Sequence, residues 1–316
     1  MSEQNYNLVF VFPGQGSQSL GMLSEMAESF PLIKQTFEQA SDCLNFDLWK
    51  LVQQGPVEDL NQTHNTQPAM LTAGVAMWRV WCEQSDIRPD WVAGHSLGEY
   101  TALVCSDALA FNDAVTLVAE RGRFMQQAVP AGIGAMAAII GLEDHQVVKV
   151  CADTAENEVV AAVNFNAPGQ VVIAGHVAAV ERAMAAAKEA GAKRALKLPV
   201  SVPSHCTLME PAAEKLAERL NRIEIQTPKM TLINNVDVAA HTADEVIRNA
   251  LKEQLFKPVR WVDSIKYMYE QGVVNFVECG PGKVLMGLNK RIAKGANHMV
   301  MYDPATLEKV MEQLNG

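Results

Sequence analysis

Trp91-Val92-Ala93 runs directly into Gly94-His95-Ser96-Leu97-Gly98, and residues 99–108 follow as a good helix former with Leu103 and Val104 on its inner side. Strand, tight turn and helix is the setting of a Gly-x-Ser-x-Gly elbow. The sharp bend there pushes the serine into a strained, exposed position, and the flanking glycines avoid the neighbouring backbone. Ser96 then sits at the first turn of a helix, whose N–H groups and dipole stabilise a developing oxyanion. A loop that merely contains Gly, Ser and Gly is the alternative, but the strand before and the helix after favour the elbow.

Working outward, Leu8–Phe12 is a wholly apolar run that stops at Pro13-Gly14, as a buried strand of a parallel sheet does. Helical stretches alternating with short apolar runs predict an α/β architecture. Residues 130–199 have their own rhythm. Strands are expected at Gly134–Ile140, 159–165, 170–174 and 194–198, with helices at 143–155 and 178–190. That β-α-β-β-α-β order is the order of a ferredoxin-like unit. Pro130 and Gly132 mark one hinge, Pro199 and Pro203 the other. The expected fold is therefore α/β, with a large α/β-hydrolase-like domain around a parallel sheet (residues 1–129 and 200–316). A smaller ferredoxin-like domain is inserted at 130–199.

Composition narrows the function classes. The chain has 316 residues, 49% hydrophobic and 20% charged, which excludes intrinsic disorder. A chain of this size buries about 75% of its unfolded surface. No apolar run approaches the roughly 20 residues that span a bilayer, so no membrane partner is expected. The first five residues lack a basic segment and Leu8–Phe12 is too short for a secretory signal. Twenty-six basic against 36 acidic residues give a formal charge of −10, which argues against nucleic acid as a partner. Six scattered cysteines (Cys43, Cys82, Cys105, Cys151, Cys206 and Cys279) read as reduced thiols of a cytoplasmic protein. They offer no zinc spacing, and there is no His-Glu-x-x-His run, so no metal is expected.

A serine hydroxyl needs a base. Of seven histidines, His145 and His176 fall at solvent-facing helix or turn positions of the inserted unit, and His241 and His298 fall in loops. His64 is also among the seven. His95 adjoins the nucleophile, but consecutive residues at an elbow point apart. His205, in Val200-Ser201-Val202-Pro203-Ser204-His205 after a strand and at the start of a helix running to about residue 220, has the best chain order and setting. No acid is singled out as a third member. Asp107, Asp113 and Asp153 lie between Ser96 and His205, and a backbone carbonyl or an amide is an equal alternative.

Several further stretches share one resemblance. Phe12-Pro13-Gly14-Gln15-Gly16-Ser17-Gln18, Gln67-Pro68-Ala69, Gly94-His95-Ser96-Leu97-Gly98-Glu99 and Glu120-Arg121-Gly122 come first. Asn164-Phe165-Asn166-Ala167-Pro168-Gly169-Gln170, Pro203-Ser204-His205 and Glu278-Cys279-Gly280-Pro281-Gly282 follow. In this order the chain resembles the malonyl-CoA:acyl carrier protein transacylases, the standalone malonyl transferases of bacterial fatty-acid synthesis, from about residue 8 to about residue 291. The last 25 or so residues match nothing recognisable.

The resemblance implies a ping-pong transfer without a cofactor, coenzyme A entering as the thioester substrate and acyl carrier protein as the acceptor. It implies Ser96 as nucleophile, His205 as base, the backbone N–H groups of Gln15 and Leu97 as oxyanion hole, and the backbone carbonyl of Gln254 as the group that orients the histidine. His95 and Asn166 are carried over as substrate contacts. Polyketide acyltransferase modules vary just before the histidine with malonyl or methylmalonyl choice, and Pro203-Ser204 looks like the malonyl form. Arg121 is implied as the group that binds the malonyl carboxylate. Its chemistry supports this separately, because a planar guanidinium grips a carboxylate through two parallel hydrogen bonds. Arg121 is four residues from both Leu117 and Met125 and so shares the buried face of its helix, whereas Arg123 points elsewhere. The competing role for Arg121 is a structural salt bridge with a buried acid.

Docking an acidic carrier on a −10 chain requires a basic patch. Lys188, Lys193, Arg194 and Lys197 form one candidate; Lys283, Lys290, Arg291 and Lys294, in a stretch free of acids from 280 to 302, form the other. A solvated helix face is the alternative for both. The rival functions are a serine esterase or thioesterase, which shares the elbow, and an inactive carrier-binding scaffold, which the presence of both Ser96 and His205 disfavours. Nucleotide binding is rejected, since Gly14-Gln15-Gly16 has no third glycine at the needed spacing and no Gly-Lys-Ser/Thr run exists.

Overall fold

A computed structural model describes residues 7–200 and 202–315; the reading of the first five residues, and Ser201 within the histidine stretch, lie outside the described residues. Its strands are β1 (Leu8–Phe12), β2 (Trp91–Gly94), β3 (Gly134–Ile140), β4 (Val160–Ala167), β5 (Gln170–His176), β6 (Arg194–Lys197), β7 (Thr231–Ile233), β8 (Asn275–Cys279) and β9 (Asn297–Met301). Two sheets result. One is parallel throughout, in the order β7-β2-β1-β8-β9; the other is antiparallel, in the order β4-β5-β3-β6.

β1 is central and buried along its whole length because helices cover both faces of its sheet. Val9 pairs with Trp91 and Phe12 with Gly94 on one side, and Val11 with Glu278 on the other. The chain moves from β1 to β2 and β7 on one flank, then returns to β8 and β9 on the other. The strand order thus reverses between β1 and β8, and the carboxyl ends of β1 and β2 lie beside this switch point, where open α/β sheets gather their sites. Beside it stand the helices Thr63–Gln84, buried over most of its length, and Phe111–Ala128, which buries Val115, Leu117, Val118 and Met125 on the face that also carries Arg121.

The antiparallel sheet packs the helices Asp144–Thr154 and Val177–Glu189 over a core of Ala, Val and Ile side chains that includes Ala137, Ile139, Val171, Ile173, Val180 and Ala183. It is tied to the larger part by backbone hydrogen bonds, Val259 N–H to Val163 O (2.8 Å) and Phe165 N–H to Val259 O (3.0 Å).

Some local expectations shift. The helix after the elbow is Gly98–Cys105, shorter than expected, and β5 runs on to His176, which is a strand end and not a turn. His298 lies in β9, paired with Phe276, where a loop was expected. His205 is not at the start of a regular helix: a short 3₁₀ turn, Thr207–Met209, separates it from the helix Glu210–Leu220. The last residues, β9 and the helix Pro304–Asn315, complete the parallel sheet, with Leu307, Val310 and Leu314 buried.

Candidate active site

β2 ends at Gly94 and a helix begins at Gly98, leaving three residues to reverse the chain. Ser96 takes the strained left-handed conformation, φ 52°. A Cβ on Gly94 would stand 1.8 Å from the carbonyl carbon of Gly98, and one on Gly98 would stand 2.0 Å from Phe12 O. Only glycines allow the turn to close on itself and on β1.

His205 reaches Ser96 across the crevice. Its Nε2 lies 2.8 Å from Ser96 Oγ, and its Nδ1 lies 2.6 Å from the backbone carbonyl oxygen of Gln254. A carbonyl only accepts, so Nδ1 carries the proton, and the Nε2 lone pair accepts from the serine hydroxyl. Burial, reinforced by the nearby Arg121 charge, pushes the imidazole down to about 3 against the raising effect of the Gln254 carbonyl. The ring is therefore neutral at ordinary pH. His205 also adopts a positive φ, 66°, so both partners are held in strained backbone by their surroundings.

The backbone N–H of Ser96 is committed to Asn235 Oδ1 at 2.7 Å, and Asn235 Nδ2 donates to Gly94 O at 2.7 Å. The elbow is thereby clamped from the end of β7. Gln15 and Leu97 both line the cavity in front of Ser96, and neither N–H has a hydrogen-bond acceptor among the described residues.

This cavity, about 110 Å³, is also lined by Gln67, His95, Arg121, Met125, Met136, Asn164 and Val202. That volume suits a short acyl group better than a long chain. Arg121 is 1% exposed. Its Nη1 donates to Gln67 Oε1 (2.8 Å) and its Nη2 to Gln254 Oε1 (3.1 Å), while Nε has no partner. The Tyr100 ring packs on the guanidinium with its centroid 5.3 Å away. No carboxylate lies within 4.0 Å of Arg121 among the described residues, so the salt-bridge role is not what the fold provides. A buried cation without an anion is costly, and desolvation lowers its pKa.

The other expected contacts separate. His95 lines the cavity, and its Nε2–H donates to Asn166 Oδ1 at 2.8 Å. Asn166 itself is not on the cavity wall, whereas Asn164 lines the wall with a buried Oδ1 that has no partner.

The comparisons with known proteins fit this geometry. The acyl transferase domain family matches residues 9–303. The malonyl CoA-acyl carrier protein transacylase of Escherichia coli strain K12 is 57% identical over 303 residues, covering 96% of this chain and 98% of that one. This chain belongs to the malonyl CoA-acyl carrier protein transacylase family. The solved transacylase of Coxiella burnetii superposes with a TM-score of 0.97 at 50% identity, over 98% of both chains. A solved complex of a type II PKS acyl-carrier protein with its malonyl-transacylase gives 0.96 at 54% identity, over 97% of this chain and 99% of that one.

Within this family member, sequence reading overlooked the polar groups behind the elbow. Glu99 is buried and receives hydrogen bonds from Asn234 Nδ2 (2.6 Å), Asn235 N–H (3.0 Å) and Gln254 Nε2 (2.8 Å). Burial pushes its carboxyl up to about 7 against those three bonds, which favour the anion. Gln254 Nε2 also donates to Ser96 O at 3.0 Å. Glu278, quoted only as part of a motif, accepts from the N–H groups of Leu285 and Met286 at the start of the helix Val284–Ile292.

Proposed function

We propose that this acyltransferase moves a malonyl group from malonyl-CoA to the phosphopantetheine thiol of acyl carrier protein, through an ester on Ser96. Ser96 Oγ attacks the thioester carbonyl while its proton passes to His205 Nε2. The oxyanion is received by the N–H groups of Gln15 and Leu97; each donor of this kind is worth about 10²–10³ in rate. Coenzyme A leaves as its thiolate and takes the proton from His205. The low imidazole pKa favours that return, because an imidazolium formed there is a strong acid. In the second half, the carrier thiol gives its proton to His205 and attacks the malonyl ester, and Ser96 departs with that proton. Gln254 O holds the imidazole tautomer throughout, in the place where a triad has its acid.

The observation that carries the acyl assignment is the buried Arg121, without an anionic partner among the described residues, in the wall of the Ser96 cavity. A malonyl carboxylate supplies the missing anion; an ordinary esterase substrate does not. His95 is read as a wall contact for the substrate, with Asn166 holding its ring. Coenzyme A is needed only as part of the substrate, and no cofactor enters any step.

We assign residues 1–129 and 200–316 to an α/β-hydrolase-like domain and 130–199 to a ferredoxin-like one. The βαββαβ order and the strand order β4-β5-β3-β6 support the second, and Ser96 at a strand–elbow–helix turn supports the first. Cytoplasmic residence is supported by six cysteines that are all free. The carrier is assigned to the patch of Lys283, Lys290, Arg291 and Lys294: its three lysines are exposed and without ion pairs among the described residues and Arg291 donates to Gln170 Oε1 at 2.6 Å, whereas in the other patch Lys197 pairs with Glu181 at 2.9 Å and only Lys188, Lys193 and Arg194 are without ion pairs. Reversing the charges of Lys283, Lys290 and Lys294 should raise the carrier KM about 10-fold at low salt and leave loading from malonyl-CoA unchanged; equal transfer kinetics would remove the assignment.

The reaction is tested by incubating the protein with malonyl-CoA and weighing the intact chain. A malonyl adduct on Ser96 that discharges to carrier protein is expected. Rapid release of free malonate without the carrier would identify a hydrolase instead.

A further inference from the structure

Arg121 is held by two side chains, and both are neutral. Gln67 Oε1 takes Nη1 and Gln254 Oε1 takes Nη2, at 2.8 and 3.1 Å. The orientation of the Gln67 amide is fixed by its other end, whose Nε2 lies 3.4 Å from Met125 Sδ, so oxygen and not nitrogen faces the guanidinium. The nearest carboxylate in this hydrogen-bonded chain is Glu99, and the Gln254 carboxamide stands between it and Arg121, receiving the guanidinium on Oε1 and donating to Glu99 from Nε2.

An amide accepts a hydrogen bond as a carboxylate does, but it leaves the cation's charge intact. We propose that Gln67 and the side chain of Gln254 are specificity-determining residues that aim Arg121 without neutralising it. The anionic partner then has to come from the acyl group. This rests on the malonyl reading above. Folding has already removed Arg121 from water, so a carboxylated acyl group ends an unpaired burial whereas an acetyl group prolongs it. Discrimination of this type comes from the group left unpaired with the wrong substrate. An internal carboxylate at either amide position would abolish it while leaving both hydrogen bonds possible.

The substitution Gln67→Glu differs from the native residue only by oxygen for NH₂, at a position hydrogen-bonded to neither Ser96 nor His205. Loading of Ser96 from malonyl-CoA and from acetyl-CoA is followed by intact mass in the native enzyme, in Gln67→Glu and in Gln67→Met. The native enzyme is expected to favour malonyl. Gln67→Glu should lower malonyl kcat/KM by about 10²-fold and acetyl far less, moving the ratio toward acetyl by at least about 10-fold. Gln67→Met, which removes the hydrogen bond but adds no charge, should keep the malonyl preference. A Gln67→Glu ratio within about 3-fold of native, or an equal shift in both variants, overturns the proposal, because packing alone would then explain position 67. Failure of the native enzyme to load malonyl at all would instead sink the functional reading.

A measurement on the native enzyme stands even if Gln67→Glu does not fold. Formate should enter as a diffusible carboxylate, inhibiting malonyl loading competitively and stimulating acetyl loading, while chloride at the same ionic strength does neither. Identical behaviour of the two salts overturns the proposal.

Discussion

The two sheets of this molecule bury different things. Under the antiparallel sheet lie Ala, Val and Ile, and no polar or charged side chain is fully buried between residues 134 and 197. Around the carboxyl ends of the parallel sheet, Gln67, Glu99, Arg121, His205, Asn234, Asn235 and Gln254 are all buried, and two residues of the site sit at positive φ. One region is stabilised by transfer of apolar surface from water. In the other, polar groups are tolerated only because each is held by another, and the strain is kept at the chemical centre. Substitutions in the first should therefore be felt in stability, and substitutions in the second in rate and selectivity.

The sharpest test of this contrast is removal of the reacting groups. Ser96→Ala should abolish the acyl adduct and lower turnover by about 10⁴-fold or more, and His205→Ala should do nearly as much. Adding the second substitution to the first should cost little further, since the pair acts as a unit; additive losses in steady-state transfer would break that picture. Thermal stability should not fall with Ser96→Ala in proportion to rate.

Arg121→Ala is next in size. Malonyl kcat/KM should fall by about 2–5 kcal/mol, roughly 30-fold to several thousand-fold, and acetyl should compete better. An unchanged malonyl preference would move the carboxylate site elsewhere.

The polar region should also dominate the pH dependence of stability, with two opposed slopes. His205 is depressed to about 3, so its contribution is present above its ordinary value of 6.5 and is lost as pH falls toward 3. Glu99 is raised from 4.5 to about 7, so its contribution is present below 4.5 and is lost as pH rises through about 7. Denaturant unfolding of Glu99→Gln beside the native protein should show the native chain losing ground between those two pH values, by up to about 3 kcal/mol. A pH-independent difference would mean that Glu99 keeps its ordinary pKa.

The apolar region should give the smallest functional effect. Val180→Ala, in the buried core under the antiparallel sheet, should cost about 1–3 kcal/mol of unfolding free energy and alter kcat by less than about 2-fold. A large rate effect would show that this core transmits strain to the cavity through Met136 and Asn164.

The same contrast explains what could be read in advance. The antiparallel unit was legible from periodicity and turn residues, because each of its strands and helices is a contiguous run bounded by turn residues, although of the strands consecutive in the chain only β4 and β5 pair. Its strands differ from expectation mainly at their ends, as with β5 running on to His176. The elbow was legible too, because β2, the turn and the helix are contiguous. His205 could be picked by setting and chain order, but its local conformation could not, since the backbone bond from His205 N–H to Leu255 O joins segments 50 residues apart only in the fold. The network behind Ser96 left no local signal. Glu99 reads as an ordinary helix-start acid until Asn234, Asn235 and Gln254 are brought to it from 135 to 155 residues away. Gln67 stood out only as part of Gln67-Pro68-Ala69 in the family resemblance, with nothing to indicate that its oxygen meets Arg121.

Gln254 gives its backbone oxygen to His205 and its side chain to Ser96, Glu99 and Arg121. Any redesign of acyl choice that begins there will detune the nucleophile and the selector together. Gln67 has no such double allegiance, and an engineer seeking a different cargo with the same turnover should start at that wall.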